Sequence, residues 1–110
     1  MPYHETILFE NTDELKLDMD HYLKVHMPLG MERLVKYGLR SYHVVKYTPG
    51  PFGPKPRWHV GATLVWESVE SVKAAMASGD DFLAIYNDGP KYSNMRAIVT
   101  GGEVIDSNSV

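Results

Sequence analysis

Trp58-His59-Val60-Gly61-Ala62-Thr63-Leu64-Val65-Trp66 is the stretch that decides the fold. Its even positions, Trp58, Val60, Ala62, Leu64 and Trp66, are all apolar. That period of two predicts a β-strand with this face against helices. The odd positions, His59, Gly61, Thr63 and Val65, are mixed rather than strongly polar. Leu39–Tyr47 is β-branched and aromatic and predicts a neighbouring strand, with Leu39, Val45 and Tyr47 on one face and Tyr42 and Val44 on the other. A half-exposed antiparallel sheet alternates more cleanly. Both faces are therefore expected to be covered. Helices supply one cover, and a second copy of the chain is the simplest source of the other.

Outward from these strands the elements follow in order. Between them, Thr48-Pro49-Gly50-Pro51-Phe52-Gly53-Pro54-Lys55-Pro56 carries four prolines and two glycines, so a long loop is expected, and a candidate lid. Towards the N-terminus, Glu5–Glu10 predicts a strand, and Asn11, Thr12 and Asp13 a turn. Asp18 is placed to cap a helix whose Met19, Tyr22, Leu23 and His26 fall on one face. Pro28 is expected to kink or restart that helix. Met31, Leu34 and Val35 continue the stripe, and Gly38 suits its stop. Towards the C-terminus, Ser68 caps a helix with Val69, Val72 and Met76 on one face, ending at Gly79. Asp81–Asn87 predicts one more short helix and Asp88-Gly89-Pro90 a turn. Arg96–Val104 predicts the last strand, with Gly101-Gly102 marking a bulge or a close backbone approach. Asp106–Val110 reads as a polar, frayed tail. The order β-α-β-β-α-β is the ferredoxin-like split motif. It predicts one α+β domain over residues 1–110, a four-stranded antiparallel sheet with two helices on one face.

The bulk numbers are compatible with this. Of 110 residues, 44% are apolar and 11% aromatic, enough for one core and against disorder. Eleven basic and 14 acidic residues are interspersed, giving a net charge of −3, without the basic stripe of a nucleic-acid binder or the basic amphipathic helix of a membrane-surface protein. There is no cysteine, hence no disulfide, thiolate nucleophile or cysteine metal site. No secretory leader pattern or membrane-length apolar run is visible, so the expected location is the cytoplasm.

Met19-Asp20-His21-Tyr22-Leu23-Lys24-Val25-His26-Met27-Pro28-Leu29, centred on His-x-Pro-Leu, resembles the EthD family. Further stretches agree in order: Tyr37–Tyr42, Ala62–Ser68, the alanine-rich helix ending Ala77-Ser78, and Gly102-Glu103-Val104. Asp88-Gly89-Pro90-Lys91-Tyr92-Ser93 matches a stretch before the last strand, with Lys91 where asparagine is common. The resemblance covers nearly the whole chain. It implies a dimeric α/β barrel in which two sheets pack face to face. Similar barrels include cofactor-independent monooxygenases, muconolactone-type isomerases and dehydratases, so it narrows the fold more than the reaction.

His26 is the leading candidate for chemistry. Tyr22 lies one turn earlier on the same helical face, so both can reach one cavity. Histidine suits acid–base work near neutral pH, and a phenol can donate to a carbonyl or enolate oxygen. The competing reading of His26 is structural, a ring that caps the chain where Pro28 breaks the helix. Tyr42, Trp58 and Trp66 are expected towards the helices, as core or as substrate-binding walls. Asn94, with Ser93, is a weaker polar candidate for substrate binding. His59 and His43 sit on strands, and alternation points His59 towards the partner subunit. No metal or cofactor motif is present: His21 and His26, five apart, fall on different faces of a 3.6-residue helix.

The expected function is cofactor-independent isomerase, dehydratase or monooxygenase chemistry on a small hydrophobic oxygenated molecule, with His26 as base and Tyr22 as donor. The alternative is a non-catalytic binding or accessory protein of an oxidative degradation pathway. A minor third reading has His26 as an axial haem ligand.

Overall fold

The computed structural model describes residues 1–110. The elements are β1 (Tyr3–Glu10), α1 (Met19–His21), a π-helical turn (Tyr22–His26), α2 (Met27–Leu34), a 3-10 turn (Val35–Tyr37), β2 (Leu39–Lys46), β3 (Trp58–Trp66), α3 (Val69–Met76), α4 (Asp80–Tyr92) and β4 (Ile98–Glu103). All strand pairs are antiparallel, in the order β2-β3-β1-β4. This is the ferredoxin-like arrangement expected from the sequence. The molecule is a slab 20 Å through its thinnest direction, one sheet layer and one helix layer. No helix is long and apolar enough to cross a membrane.

The period of two in β3 does what it predicts. Val60, Ala62, Leu64 and Trp66 are buried against the helices together with Phe9 of β1, Leu39 of β2, and Tyr22, Met27, Leu34, Ala75 and Tyr92 of the helical layer. Leu39 departs from simple alternation. It pairs with Trp66, whereas Ser41 pairs with Val65, so Arg40 is an extra residue in β2. The slip puts Leu39 on the same face as Tyr42 and Val44, not with Val45 and Tyr47. Gly38, at φ 115°, turns the chain from helix into β2. A Cβ there would lie 2.4 Å from the Ser71 Oγ, so both conformation and space require glycine.

The caps are where the sequence puts them. The Asp18 carboxylate accepts from the His21 N–H, and Ser68 Oγ from the Ser71 N–H. In α3, however, the buried residues are Ser71 and Ala75, and Met76 is exposed. Gly101 marks a close approach and no bulge: β1 and β4 stay in register, and a Cβ on Gly101 would meet the Tyr3 phenol.

The largest correction concerns α4. It runs through the Asp88-Gly89-Pro90 triplet read as a turn, and Pro90 lies inside it. Pro90 withholds one N–H, from the carbonyl of Tyr86, a residue 56% exposed, where water can serve instead. Ser93 N–H donates to Gly89 O and closes the last turn. At the other end of α4 stands Asp81. It is buried, accepts from Tyr37 Oη at 2.7 Å and Arg33 at 3.2 Å, and lies 2.8 Å from Lys36 Nζ. These bonds hold its carboxyl well below the usual range, at about 2, and fasten α4 to α2 and the 3-10 turn that follows it.

The face of the sheet away from the helices is uncovered in one chain. The register places three rows on it: Val45, Gly61, Leu8 and Ile98; His43, Thr63, Thr6 and Thr100; and Ser41, Val65, His4 and Gly102. Small and β-branched residues dominate its centre, and no lysine, arginine, aspartate or glutamate occurs in these rows.

Candidate active site

Pro28 creates the local geometry of the site. It has no N–H to offer Lys24 O, and just upstream the ladder widens, with Met27 N–H donating to Tyr22 O, five residues back. In such a turn, residues five apart stand nearly one above the other. That brings His21 and His26 to one side, which the 3.6-residue reading excluded.

Both histidines meet Asp88 from α4. His26 Nδ1 lies 2.9 Å from Asp88 Oδ2, and His21 Nε2 lies 3.1 and 3.0 Å from Oδ1 and Oδ2. Tyr92, one turn after Asp88, places its hydroxyl 3.3 Å from His26 Nε2. Tyr22 stacks on His26 with ring centres 5.8 Å apart and 16° between planes, and Tyr92 lies 4.8 Å from Tyr22. Phe9 closes this aromatic group from the sheet, edge-on to both phenols. His26 makes no side-chain cap to the backbone, so its ring is committed to side chains and does not repair the break at Pro28.

These surroundings set the protonation states. Burial lowers the pKa of His26, outweighing the Asp88 hydrogen bond and charge that raise it. For Asp88, burial is the largest single influence and acts upward, but the hydrogen bonds from His26 and His21, with their charges, outweigh it and hold the carboxyl low. Burial, with the Asp88 charge, pushes the Tyr92 phenol up to about 12, and burial raises Tyr22 further still. Near neutral pH the site therefore holds a carboxylate, a neutral His26 and two protonated phenols. With Nδ1–H donated to Asp88, His26 Nε2 carries the free lone pair. Tyr92 donates to it across 3.3 Å, long enough to yield to a better donor.

His26 opens on an apolar cleft between helices and sheet. Ile7, Met27, Gly30, Met31, Leu34, Leu39, Tyr42, Leu64 and Ile85 complete the lining. The cleft holds about 50 Å³, room for a water and not for a metabolite. Occupation by a ligand requires the flexible Met27 and Met31 side chains to move aside.

The sequence-derived candidates are thus placed unequally. Tyr22 and His26 are together and Tyr42 is across the cleft. Trp66 is in the core, its indole Nε1–H donated to Glu5 Oε1 at 3.0 Å, where burial raises the Glu5 carboxyl pKa against that bond. Trp58 lies beneath the Arg57 guanidinium, 4.9 Å from its ring centre, and does not line the cleft. Asn94 staples a loop, accepting from Lys16 N–H and donating to Glu14 O. His59 sits where the β1–β3 register slips by one residue. Asp88, Tyr92 and His21 went unread as site residues. Asp88 and Tyr92 share a helix face at i, i+4, a signal that the turn preference of Asp88-Gly89-Pro90 hides.

Two measurements follow from this geometry. The first is pH dependence. His26 has a folded pKa below its unfolded value, so the unfolded chain binds the proton more readily. The stability it contributes is present above about 6.5 and is lost as pH falls through the folded value. Asp88 and Asp81, also depressed, add a second loss below about 3.9. Urea unfolding followed against pH is expected to show both phases, and His26→Gln to remove the first and weaken the Asp88 share of the second. The second concerns Tyr22, whose hydroxyl is buried without any hydrogen-bond partner. Tyr22→Phe is expected to raise stability by about 1 kcal/mol, because it deletes an unpaired buried polar group. The same change should lower turnover about 10–100-fold if the hydroxyl serves a substrate oxygen. Denaturant midpoints and kcat/KM measured together check the opposite signs.

No protein-family model and no curated protein sequence matches the chain. Solved structures do. An EthD-like protein from Ralstonia eutropha JMP134 superposes with a TM-score of 0.84 at 22% identity, covering 98% of this chain and 96% of that one. An EthD family protein from Bacillus halodurans C-125 gives 0.72 at 23% identity, covering 96% and 100%. A dimeric ferredoxin-like protein from an uncultured marine organism gives 0.62 at 13% identity, covering both chains fully. The chain has the fold of the EthD proteins, and the resemblance carried by His26-Met27-Pro28-Leu29 is borne out at that level.

Proposed function

We propose that the chain is an acid–base enzyme that needs no cofactor and acts on a small hydrophobic molecule with a carbonyl or hydroxyl group. The observation that carries this reading is the Asp88–His26 pair, with Nδ1 held at 2.9 Å and Nε2 turned to a phenol beside an apolar cleft. His26 Nε2 takes a proton from carbon or oxygen next to the substrate carbonyl. Asp88 fixes the ring and stabilises the imidazolium that forms. Tyr92 and Tyr22, both protonated, donate to the oxygen on which charge develops. Tyr42 and the aliphatic wall bind the carbon skeleton. Isomerisation, dehydration and oxygenation of an enolate all begin with this step.

The working unit in this reading is a homodimer. Two copies bury the uncovered sheet faces against each other, and the absence of charge from the three rows on that face supports it. The dimeric ferredoxin-like relatives support it independently.

The experiment is turnover of a panel of lactones, enols and hydroxylated aromatics by wild type and His26→Gln. The expected result is a fall of about 10²–10⁴-fold in the variant. The kcat/KM acid limb should fall below the ordinary histidine value, because burial depresses His26. Unchanged turnover in His26→Gln would overturn the assignment. Saturable ligand binding with no turnover of any compound would favour the non-catalytic binding protein.

A further inference from the structure

The Asp88 carboxylate serves two imidazoles. His26 Nδ1 meets Oδ2 at 2.9 Å. His21 spans both oxygens, at 3.1 and 3.0 Å. The side chains are 22% exposed for His21, 12% for His26 and 6% for Asp88. The rings of His21 and His26 both lie against Tyr92, at 6.2 and 4.4 Å between centres. Few other charges face the pair. Lys91 Nζ stands 3.9 Å from Asp88 Oδ1 on an exposed side chain. The Asp18 carboxylate accepts from the His21 backbone N–H, and Asp20 and Lys24 pair with each other in the solvent. The remaining titratable neighbours, Tyr22 and Tyr92, are neutral phenols.

We propose that His21 is the positioning residue of this site: it fixes Asp88 against His26, and a positive charge on its ring opposes protonation of His26. The inference rests on the reading of His26 as base.

A single carboxylate stabilises one neighbouring imidazolium well and a second one poorly, because the two positive rings repel. Once His21 is charged, Asp88 is largely neutralised, and His26 gains little from a proton of its own. Burial lowers the His26 pKa, and the charge on His21 lowers it further. His21 also holds the carboxylate by two contacts, which leaves Oδ2 aligned on His26 Nδ1.

The test is an NMR titration of the imidazole resonances in the full chain, from neutral to mildly acidic pH, and needs no substrate. In His21→Gln, which keeps an N–H donor to Asp88 without a charge, the His26 midpoint is expected to move upward. His21→Ala should move it further, with the Asp88 contact also lost. If the alanine variant fails to fold, the glutamine variant decides. The proposal is overturned if the His26 midpoint is the same in His21→Gln as in wild type. A residue with a merely structural role would leave that midpoint in place. An intact upward shift together with full turnover in His26→Gln would discard the catalytic reading while leaving the coupling of the two rings established.

Discussion

Replacing Asp88 by asparagine is expected to lower kcat/KM about 10³–10⁴-fold, out of proportion to its effect on the fold. The amide is nearly the same shape, and its oxygen can still accept one imidazole N–H. Its NH₂, however, meets the second ring as a donor. If that ring is His26, its Nδ1 must become the acceptor, the proton moves to Nε2, and Nε2 is no longer a base. Asp88→Ala removes both hydrogen bonds. It leaves His26 Nδ1–H and His21 Nε2–H without an acceptor in surroundings that are only 12% and 22% exposed. The expected loss for the alanine variant is about 2–4 kcal/mol. The two variants therefore separate the roles: asparagine reports on the tautomer of His26, alanine on the fastening of α4 to the first helix. Urea denaturation and kinetics on both proteins check this. Equal losses of stability and activity in the two would mean that Asp88 only holds helices together.

Thr6→Lys is expected to turn the proposed dimer into a monomer without unfolding it. Thr6 lies in the middle row of the uncovered sheet face, between Thr63 and Thr100, and its hydroxyl is 3.5 Å from that of Thr63. In a single chain its side chain points to solvent, so a lysine there leaves the helix-facing core untouched. In a pair of sheets packed face to face, the same lysine is buried near the centre, facing its own copy. An unpaired buried ammonium costs several kcal/mol, doubled by symmetry. Sedimentation should show wild type at twice the chain mass and Thr6→Lys at once. A wild type already monomeric at micromolar concentration would remove the barrel from the account and leave the His26 site standing.

The sequence carried the sheet further than the site, for identifiable reasons. β3 was read to the residue, because its period of two is imposed by one buried face and needs no other element. The Asp18 and Ser68 caps and the Gly38 stop were legible for the same reason, being local. Leu39 was assigned to the wrong face because the extra residue Arg40 leaves no mark in the pattern. Asp88-Gly89-Pro90 was read as a turn on intrinsic preference. Two histidines from another helix hold Asp88 in α4, and the carbonyl deprived by Pro90 is at the surface. His21 was set aside on 3.6-residue geometry that the π-turn before Pro28 suspends. The aromatic–histidine pair Tyr22 and His26 was visible in one helix, whereas the carboxylate and second phenol lie more than 60 residues away. Trp66 and Asn94 show the converse error, polar groups already committed to Glu5 and to the Glu14–Lys16 loop.

The central claim is that His26 presents a free lone pair at Nε2 while Asp88 holds its Nδ1 proton. A long-range ¹H–¹⁵N correlation spectrum of the imidazole groups at neutral pH reads this directly, since the two nitrogens of each tautomer resonate far apart. The account predicts a neutral His26 with its proton on Nδ1. A proton on Nε2, or an imidazolium with both nitrogens protonated at neutral pH, would contradict it.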